Sequence, residues 1–449
     1  MGSLEGNMTD TQKSEHIVST KRQRIAKLSS QYRQRSFVSL SHHIDMDWMR
    51  VAWHRTRKDG AAGVDDQSAE QYEQDLEGNL KSLLKRLHTG SYQAPPVKRV
   101  YISKGDGTSR RPIGIPTLED KILQRAVVML LEPLYEQDFL NCSYGYRPGR
   151  NPHMALDELW SGLMGMGGGW VLELDIKSFF DALDKGILRS QLDKRVKDGV
   201  IRRTIDKWLK AGVMEDGALS FPDSGTPQGG VVSPLLANIY LHEVLDTWFE
   251  ESVKPRLRGR GFMVRFADDA TLVFQREEDA RKVMEVLPKR FGRFKLTLHP
   301  QKTQLIGFES PARRPSTKAG TFNLLGFTHY WGKSRKGRPV IKRKTARDRF
   351  QRSCKSINLW CRKYRHIAVE EQWLKLSRKL RGHYNYYGIT GNIEALRRYF
   401  HVVSTTWIKW LGRRSHKGWL NWQKANLLLA FYKLPTPRIA KRYRSLVKP

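Results

Sequence analysis

The segment FMVRFADDATLVF (residues 262–274) constrains the fold most, because two acidic residues stand between two apolar runs. Apolar runs around a polar centre predict a β-hairpin with Asp268 and Asp269 at its tip. Asp is common in turns, so an Asp-Asp pair alone is typical of a surface turn. The apolar residues on both sides favour a hairpin in the interior of the fold, with its carboxylates at a functional centre.

A further acidic residue ends a strand pattern earlier in the chain. Residues 170–175 read WVLELD, which predicts a strand that ends at Asp175. If this strand lies beside the 262–274 hairpin, Asp175, Asp268 and Asp269 come together. Such a cluster suits two Mg²⁺ ions, since Mg²⁺ prefers oxygen ligands and takes few of them from protein.

Two other elements have the composition of phosphate-binding sites. The turn GTPQGG (225–230) has glycines that allow close backbone approach, and the helix expected after it directs its N-terminal amides to a phosphate. A predicted hairpin joins VKRVYISK (97–104) to RRPIGIP (110–116) and carries Lys104, Arg110 and Arg111. Its cations suit a triphosphate. Each pattern is common when taken alone, and an isolated basic hairpin is usually just solvated.

The basic charge of the chain is concentrated near its C-terminal end. The formal net charge is +35, with 80 Lys+Arg against 45 Asp+Glu, and residues 311–449 contain 34 of these basic residues but four acidic ones. A basic disordered tail is one explanation. Seven of the 13 Trp lie in the same segment, however, and disordered tails are poor in aromatic residues. We therefore expect a folded, helical domain that binds a phosphate backbone.

Other classes of protein are disfavoured by composition. The three cysteines cannot build a disulfide framework, and no Cys-x-x-Cys pair is present for a structural zinc. No apolar run approaches the roughly 18 residues of a membrane span, and the N-terminus has no signal-peptide core. We expect a soluble protein that does not contact a membrane, located in the cytoplasm or nucleoid of a bacterium.

Periodicity predicts mixed helices and strands without regular alternation in the first two-thirds of the chain, which is an α+β pattern. Helices are expected at about 45–56, 76–89, 118–135, within 184–211, after Ser233-Pro234, and at 277–292. The segment LTLHPQKTQLIGF predicts strand–turn–strand, FNLLGFTHYW predicts a strand, and residues from about 345 onward are expected to be helical. Residues 311–320 read as a linker or insertion.

The order of these elements resembles the fingers and palm of a reverse transcriptase. The match to the group II intron-encoded reverse transcriptase/maturase family covers residues from about 30 to about 440. It is carried by ISKGDGTSRRPIGIPTLEDKILQ, SYGYRPGR, LELDIKSFFDALD, GTPQGGVVSPLLANIYLHEVLD, RFADDATLVF, LHPQKT, FNLLGF and LRGHYNYYGITGN. The resemblance implies a right-hand polymerase fold followed by an α-helical thumb/maturase region.

The resemblance also assigns roles in catalysis. It implies that Asp175 and Asp268 bind two catalytic Mg²⁺ ions, with Mn²⁺ as a substitute, and that Asp269 is a further carboxylate of the site. Phe180, five positions after Asp175, matches the aromatic residue that excludes a ribose 2′-OH. Core packing is the alternative explanation for this side chain.

Further residues match positions that contact the nucleotide or the primer. The resemblance implies that Gln228 lines the nucleotide pocket, that Lys104 and Arg111 grip the triphosphate with Arg110 beside them, and that Lys302 protonates or screens the pyrophosphate. Leu325, Gly326 and Phe327 match the primer grip. A solvated turn is the alternative explanation for Lys302.

Two features depart from the family pattern. Phe266 stands where Tyr is common before Ala-Asp-Asp, which keeps the aromatic ring and both metal ligands, so we expect activity with altered fidelity. The paired cysteines of the endonuclease domain that many members carry are absent after Cys361. We therefore expect a member that primes on available DNA 3′ ends.

The sequence thus predicts an RNA-directed DNA polymerase that copies intron RNA into cDNA and, as a maturase, assists splicing. Its expected partners are group II intron RNA, an RNA template–DNA primer duplex, target DNA and deoxynucleoside triphosphates. The expected domains are an N-terminal extension (1–60), fingers and palm (61–335), and a basic thumb/maturase region (336–449). Two alternatives stay open, namely a splicing cofactor without polymerase activity and a host-adopted reverse transcriptase in DNA repair or defence.

Overall fold

The computed structural model describes residues 2–103, 110–215, 218–221, 229–312, 319–414 and 420–441. Its α-helices are α1 (Gly2–Gln31), α2 (Met46–His54), α3 (Ala69–Glu73), α4 (Leu76–Thr89), α5 (Leu118–Tyr135), α6 (Pro152–Met166), α7 (Phe179–Ala182), α8 (Lys185–Asp193), α9 (Gly199–Lys210), α10 (Ser233–Leu241), α11 (Glu277–Gly292), α12 (Arg347–Lys363), α13 (Val369–Tyr387), α14 (Ile393–Leu411) and α15 (Trp422–Phe431). A π-helical segment, His242–Val253, continues α10, and short 3₁₀ turns occur at Ser41–His43 and Lys254–Arg256.

The strands are β1 (Val97–Ser103), β2 (Arg110–Ile115), β3 (Trp170–Leu174), β4 (Val213–Glu215), β5 (Ala218–Ser220), β6 (Gly261–Phe266), β7 (Asp269–Phe274), β8 (Gln304–Gly307), β9 (Phe322–Leu324), β10 (Phe327–Lys333) and β11 (Pro339–Thr345). Among the described residues they form three sheets, with the orders β2-β1-β4-β5, β6-β7-β3-β8 and β11-β10-β9. The strand β3 lies beside β7, so the expected neighbourhood of Asp175 and the 262–274 hairpin is confirmed.

Local signals account for most helix ends. The side chains of Asp45 and Thr117 accept hydrogen bonds from the backbone amides three residues later, which caps α2 and α5. Gly90 ends α4 in the left-handed conformation, at a φ of 76° that suits glycine. These helices, α11 and the β1–β2 hairpin agree with the sequence predictions.

Two strand predictions were wrong in detail. The segment LTLHPQKTQLIGF forms one strand, β8, in its second half. Its first half lies alongside the residues just beyond β3, where Leu298 bridges Ile176 and the His299 amide donates to the Asp175 carbonyl at 2.7 Å. The segment FNLLGFTHYW forms two strands, since Leu325 and Gly326 turn the chain with φ values of 51° and 78°.

The chain forms two compact units. The first contains Met1–Ala155, Leu172–Leu272 and Glu278–Gln304, and the second contains Leu156–Val171, Val273–Glu277 and Leu305–Pro449. The domain boundaries predicted near residues 60 and 335 stay predictions.

The second unit has a core of its own among α12–α14. Cys361, Leu380, Leu396, Val403 and Trp407 are completely buried there. The basic C-terminal region is therefore folded in the part that the structure describes. Within that part of the chain, no helix has the length and apolar character needed to cross a membrane.

Candidate active site

The carboxylate of Asp175 lies immediately beyond β3, in the first unit. Its Oδ2 forms an ion pair with Lys302 Nζ at 2.9 Å. The backbone of the HPQKT turn is attached to the same residue, because the His299 amide donates to the Asp175 carbonyl. The structure thus places the exposed side chain of Lys302 against a predicted metal ligand.

Asp268 lies at the tip of the β6–β7 hairpin, as predicted. The preceding residue, Ala267, has a φ of 57°, a left-handed conformation that is uncommon for a residue other than glycine. Burial raises the pKa of the Asp268 carboxyl, and the negative charge of Asp175 raises it further, while Arg111 opposes the shift. Asp175, Asp268 and Arg111 therefore act on one another electrostatically.

The third carboxylate, Asp269, is exposed at the start of β7. Within the described ranges, no three or more His, Cys, Asp or Glu side chains are close enough together to form a metal site. The three carboxylates are thus neighbours in the fold, but they are not drawn together into one cluster.

The β2 strand and the end of the GTPQGG turn are packed together. Gly229 has a φ of 119°, and a Cβ at this position would lie 2.4 Å from the Gly114 carbonyl oxygen of β2. A side chain larger than hydrogen would therefore separate the turn from the strand that carries Arg111. This close contact explains why residue 229 is glycine, and it joins the basic hairpin to the turn.

Tyr146 is an aromatic residue at this site to which the sequence assigned no role. Its φ is 57°, and its side chain is 59% exposed. Burial of the phenol raises its pKa, and the charges of Asp268 and Asp269 raise it further, whereas Arg111 lowers it. The phenol is therefore electrostatically coupled to the predicted metal ligands and to the predicted triphosphate grip.

Comparisons with known proteins identify the family of the chain. Residues 102–329, half of the chain, match the family model described as "Reverse transcriptase (RNA-dependent DNA polymerase)". Protein YkfC of Escherichia coli is 34% identical over a region covering 58% of this chain and 76% of that protein. Group II intron-encoded protein LtrA of Lactococcus lactis is 33% identical, over 51% of this chain and 39% of that protein. Nuclear intron maturase 1 of Arabidopsis thaliana is 29% identical, over 24% of this chain and 16% of that protein.

The chain belongs to the group II intron reverse transcriptase/maturase family. This membership supports a right-hand polymerase fold of mixed α and β content. It also supports nucleic acid as the partner of the protein. The chain spans less than half the length of its Lactococcus lactis relative.

In this reverse transcriptase, a buried arginine holds the Asp268 turn. Arg265 is completely buried, and each of its five N–H groups has an acceptor. Nη1 donates to the Ala267 carbonyl at 2.8 Å and to Asn238 Oδ1 at 2.9 Å. Nη2 donates to Ser143 Oγ and to Asp246, and Nε donates to Asp246 as well. The bond to Ala267 reaches the residue directly before Asp268. The sequence prediction missed this role, although a charged residue inside the apolar run FMVRF was a usable signal.

The same network positions the loop that carries Tyr146. Asn238 Nδ2 donates to the Gly145 carbonyl at 2.7 Å, and the Tyr144 amide donates to the Arg265 carbonyl at 2.8 Å. A Cβ at Gly145 would lie 2.3 Å from the Ala267 amide nitrogen. Glycine at 145 therefore allows the SYGYRPGR loop to lie directly against the Asp268 turn.

The remaining predicted nucleotide-binding residues have different environments. Phe180 is half-buried in α7, after a turn at Ser178, and its ring meets the buried Phe179 edge-to-face at 5.3 Å. Arg110 and Arg111 are exposed on β2. Lys104 and Gln228 lie outside the described residues.

The predicted primer-grip residues form a turn in the second unit. Tyr386 donates a hydrogen bond to the Leu325 carbonyl at 2.9 Å, and the Ala346 amide donates to the Gly326 carbonyl at 2.9 Å. Phe327 is completely buried and stacks on Tyr386 at 5.8 Å. The motif LRGHYNYYGITGN thus supplies the aromatic residue that holds this turn.

Proposed function

We propose that this protein is an RNA-directed DNA polymerase that copies group II intron RNA into cDNA. The observation that carries the proposal is the position of Asp175 and Asp268 at the ends of the adjacent strands β3 and β7, where the charges of Asp175 and Arg111 both act on the Asp268 carboxyl. This arrangement supplies acidic ligands for cations together with a guanidinium for a triphosphate.

The chemistry of the carboxylates fits divalent cations. Asp175 and Asp268 provide hard oxygen donors, and burial and the negative charge of Asp175 raise the pKa of the Asp268 carboxyl. A nearby divalent cation would offset both effects. When bound, Mg²⁺ lowers the pKa of the primer 3′-OH and neutralises charge on the leaving pyrophosphate.

The side chains of the protein would then orient the substrates. Arg111 would bind the triphosphate, with Lys104 and Gln228 as further contacts, and Phe180 would exclude a ribose 2′-OH. Leu325, Gly326 and Phe327 would hold the primer. Orientation and charge stabilisation account for catalysis of this type without a dominant acid–base side chain.

We also propose that the basic C-terminal region acts as the thumb and maturase, binding intron RNA, the template–primer duplex and target DNA in the bacterial cytoplasm. Cations cover its surface, and rings lie under several of them: Lys379 Nζ is 5.7 Å from the Trp360 ring, and Arg413 Cζ is 5.4 Å from the Trp410 ring. Such surfaces bind phosphates through charge and bases through stacking.

Primer extension on an RNA template tests the polymerase. The substitution Asp268→Asn should abolish extension, because it removes the negative charge of a predicted metal ligand. It should leave binding of intron RNA unchanged, because residue 268 lies outside the basic C-terminal region that is proposed to bind RNA. Asp206→Asn is a matched control, since Asp206 forms an ion pair with Arg189 at 2.8 Å. Extension by the Asp268→Asn protein would show that the metal assignment is wrong. If the wild-type protein itself binds intron RNA but does not extend the primer, a splicing cofactor without polymerase activity is favoured.

A further inference from the structure

Lys302 is held directly over a predicted metal ligand. Its ammonium lies 2.9 Å from Asp175 Oδ2, and the two side chains are 62% and 31% exposed. The turn that carries Lys302 is attached to Asp175 through the backbone: the His299 amide donates to the Asp175 carbonyl at 2.7 Å, and the Thr303 amide donates to the His299 carbonyl at 3.0 Å. The local fold therefore keeps Lys302 within reach of Asp175, while its side chain stays free to move.

The charge around Asp175 gives this contact a consequence. Asp175 and the partly buried Asp268 repel each other when no cation lies between them. The Lys302 ammonium offsets part of that repulsion, since it contacts a carboxylate oxygen of Asp175. A divalent cation that bound at Asp175 would need the same carboxylate.

We propose that Lys302 is a placeholder cation, which neutralises Asp175 in the metal-free protein and is displaced when a divalent ion binds there. The inference rests on the proposed function, because it takes Asp175 as a metal ligand. Lys302 leaves easily: its side chain is exposed, and its four-carbon stem can carry the ammonium back into water. The metal and Lys302 therefore compete for Asp175, and the lysine lowers the affinity for metal.

Direct metal binding tests the competition without measuring activity. The full-length protein, without nucleic acid or nucleotide, is titrated with Mn²⁺, and free Mn²⁺ is followed by electron paramagnetic resonance. The variants are Lys302→Ala, Lys302→Arg and Asp175→Asn. Lys295→Ala is the matched control, because Lys295 pairs with Asp184 at 2.6 Å and has a similar exposure of 68%.

Lys302→Ala should bind Mn²⁺ about two- to fivefold more tightly than wild type, the range expected when a solvent-exposed ion pair is removed. Lys302→Arg should retain wild-type affinity, Lys295→Ala should leave it unchanged, and Asp175→Asn should lose the binding. The advantage of Lys302→Ala should shrink in high salt, which screens the lysine in the wild-type protein.

Two results would overturn the proposal, and they differ in what else they affect. Unchanged or weaker binding by Lys302→Ala, together with loss of binding by Asp175→Asn, would refute the placeholder and leave the metal site intact. Equal binding by wild type and Asp175→Asn would refute the placeholder and the metal assignment in the proposed function together.

Discussion

Arg265 and Asp246 form a two-bonded ion pair in which both side chains are completely buried. Arg265 Nε lies 2.7 Å from Asp246 Oδ1, and Nη2 lies 2.5 Å from Oδ2. The same guanidinium donates to the carbonyl of Ala267, one residue before Asp268. A charge pair in the core of the first unit thus supports the turn that carries a predicted metal ligand.

Removing one member of this pair should be costly to the fold. Arg265→Met leaves the Asp246 carboxylate buried without its partner, so we expect the free energy of unfolding to fall by about 3–5 kcal/mol. The double variant Arg265→Met/Asp246→Leu should recover much of that loss, because it removes both charges. Urea denaturation of the two single variants and the double variant measures the coupling.

The double variant also separates stability from function. It still lacks the donor to the Ala267 carbonyl, so primer extension should stay impaired although stability is restored. Recovery of both properties would show that Arg265 contributes only to stability and does not position the Asp268 turn for primer extension.

Phe180 should discriminate between sugars. We expect Phe180→Ala to lower the preference for deoxynucleotides over ribonucleotides by about 10- to 100-fold, because the ring no longer fills the space of a 2′-OH. The measurement is the ratio of kcat/KM for the two nucleotides. Phe179→Leu is the control, because Phe179 is buried, and it should leave the ratio unchanged. An unchanged ratio in Phe180→Ala would contradict the assignment of Phe180 as the residue that excludes a 2′-OH.

Tyr146 should matter more for nucleotide use than for stability. Tyr146→Gly relieves a left-handed conformation that costs about 1–2 kcal/mol, which offsets the roughly 0.5–1 kcal/mol of backbone entropy lost by glycine. We therefore expect unchanged or higher stability, with KM for deoxynucleotides raised about tenfold by loss of the ring. Tyr146→Phe keeps the ring and is the control; steady-state kinetics and thermal unfolding distinguish the two effects.

His329 should make the fold sensitive to acid. Its ring is completely buried and stacks on Phe322 at 4.6 Å, and burial, with the charge of Arg343, lowers its pKa to about 3. Because the unfolded pKa is about 6.5, the unfolded state binds more protons between these two pH values, and stability falls as the pH decreases.

The contribution of His329 should be about 2 kcal/mol between pH 7 and pH 5. His329→Leu should reduce the pH dependence of the free energy of unfolding by that amount in urea denaturation. His401 is exposed on α14, so His401→Gln is the control. An identical slope in wild type and His329→Leu would contradict the prediction.

Sequence reasoning located most elements of the first unit because they depend on local signals. Asp45, Thr117 and Gly90 mark helix ends through their own hydrogen bonds or conformation, and the apolar runs around Asp268-Asp269 define a hairpin without reference to distant residues. Segments that depend on distant partners were predicted less well. Residues 297–299 read as part of a strand, but their backbone pairs with residues 175–177, just beyond the end of β3.

The amino-acid sequence was enough to predict the chemical types at the site: carboxylates at two strand ends, a basic hairpin, a glycine turn and a separate basic region. Only the tertiary structure shows which of these residues contact one another. The pairing of Lys302 with Asp175, the hydrogen bond from Arg265 to Ser143 and the place of Tyr146 near the Asp268 turn join residues 122 or more positions apart in sequence. Such contacts depend on how strands and loops pack, and propensity and periodicity report on local conformation only.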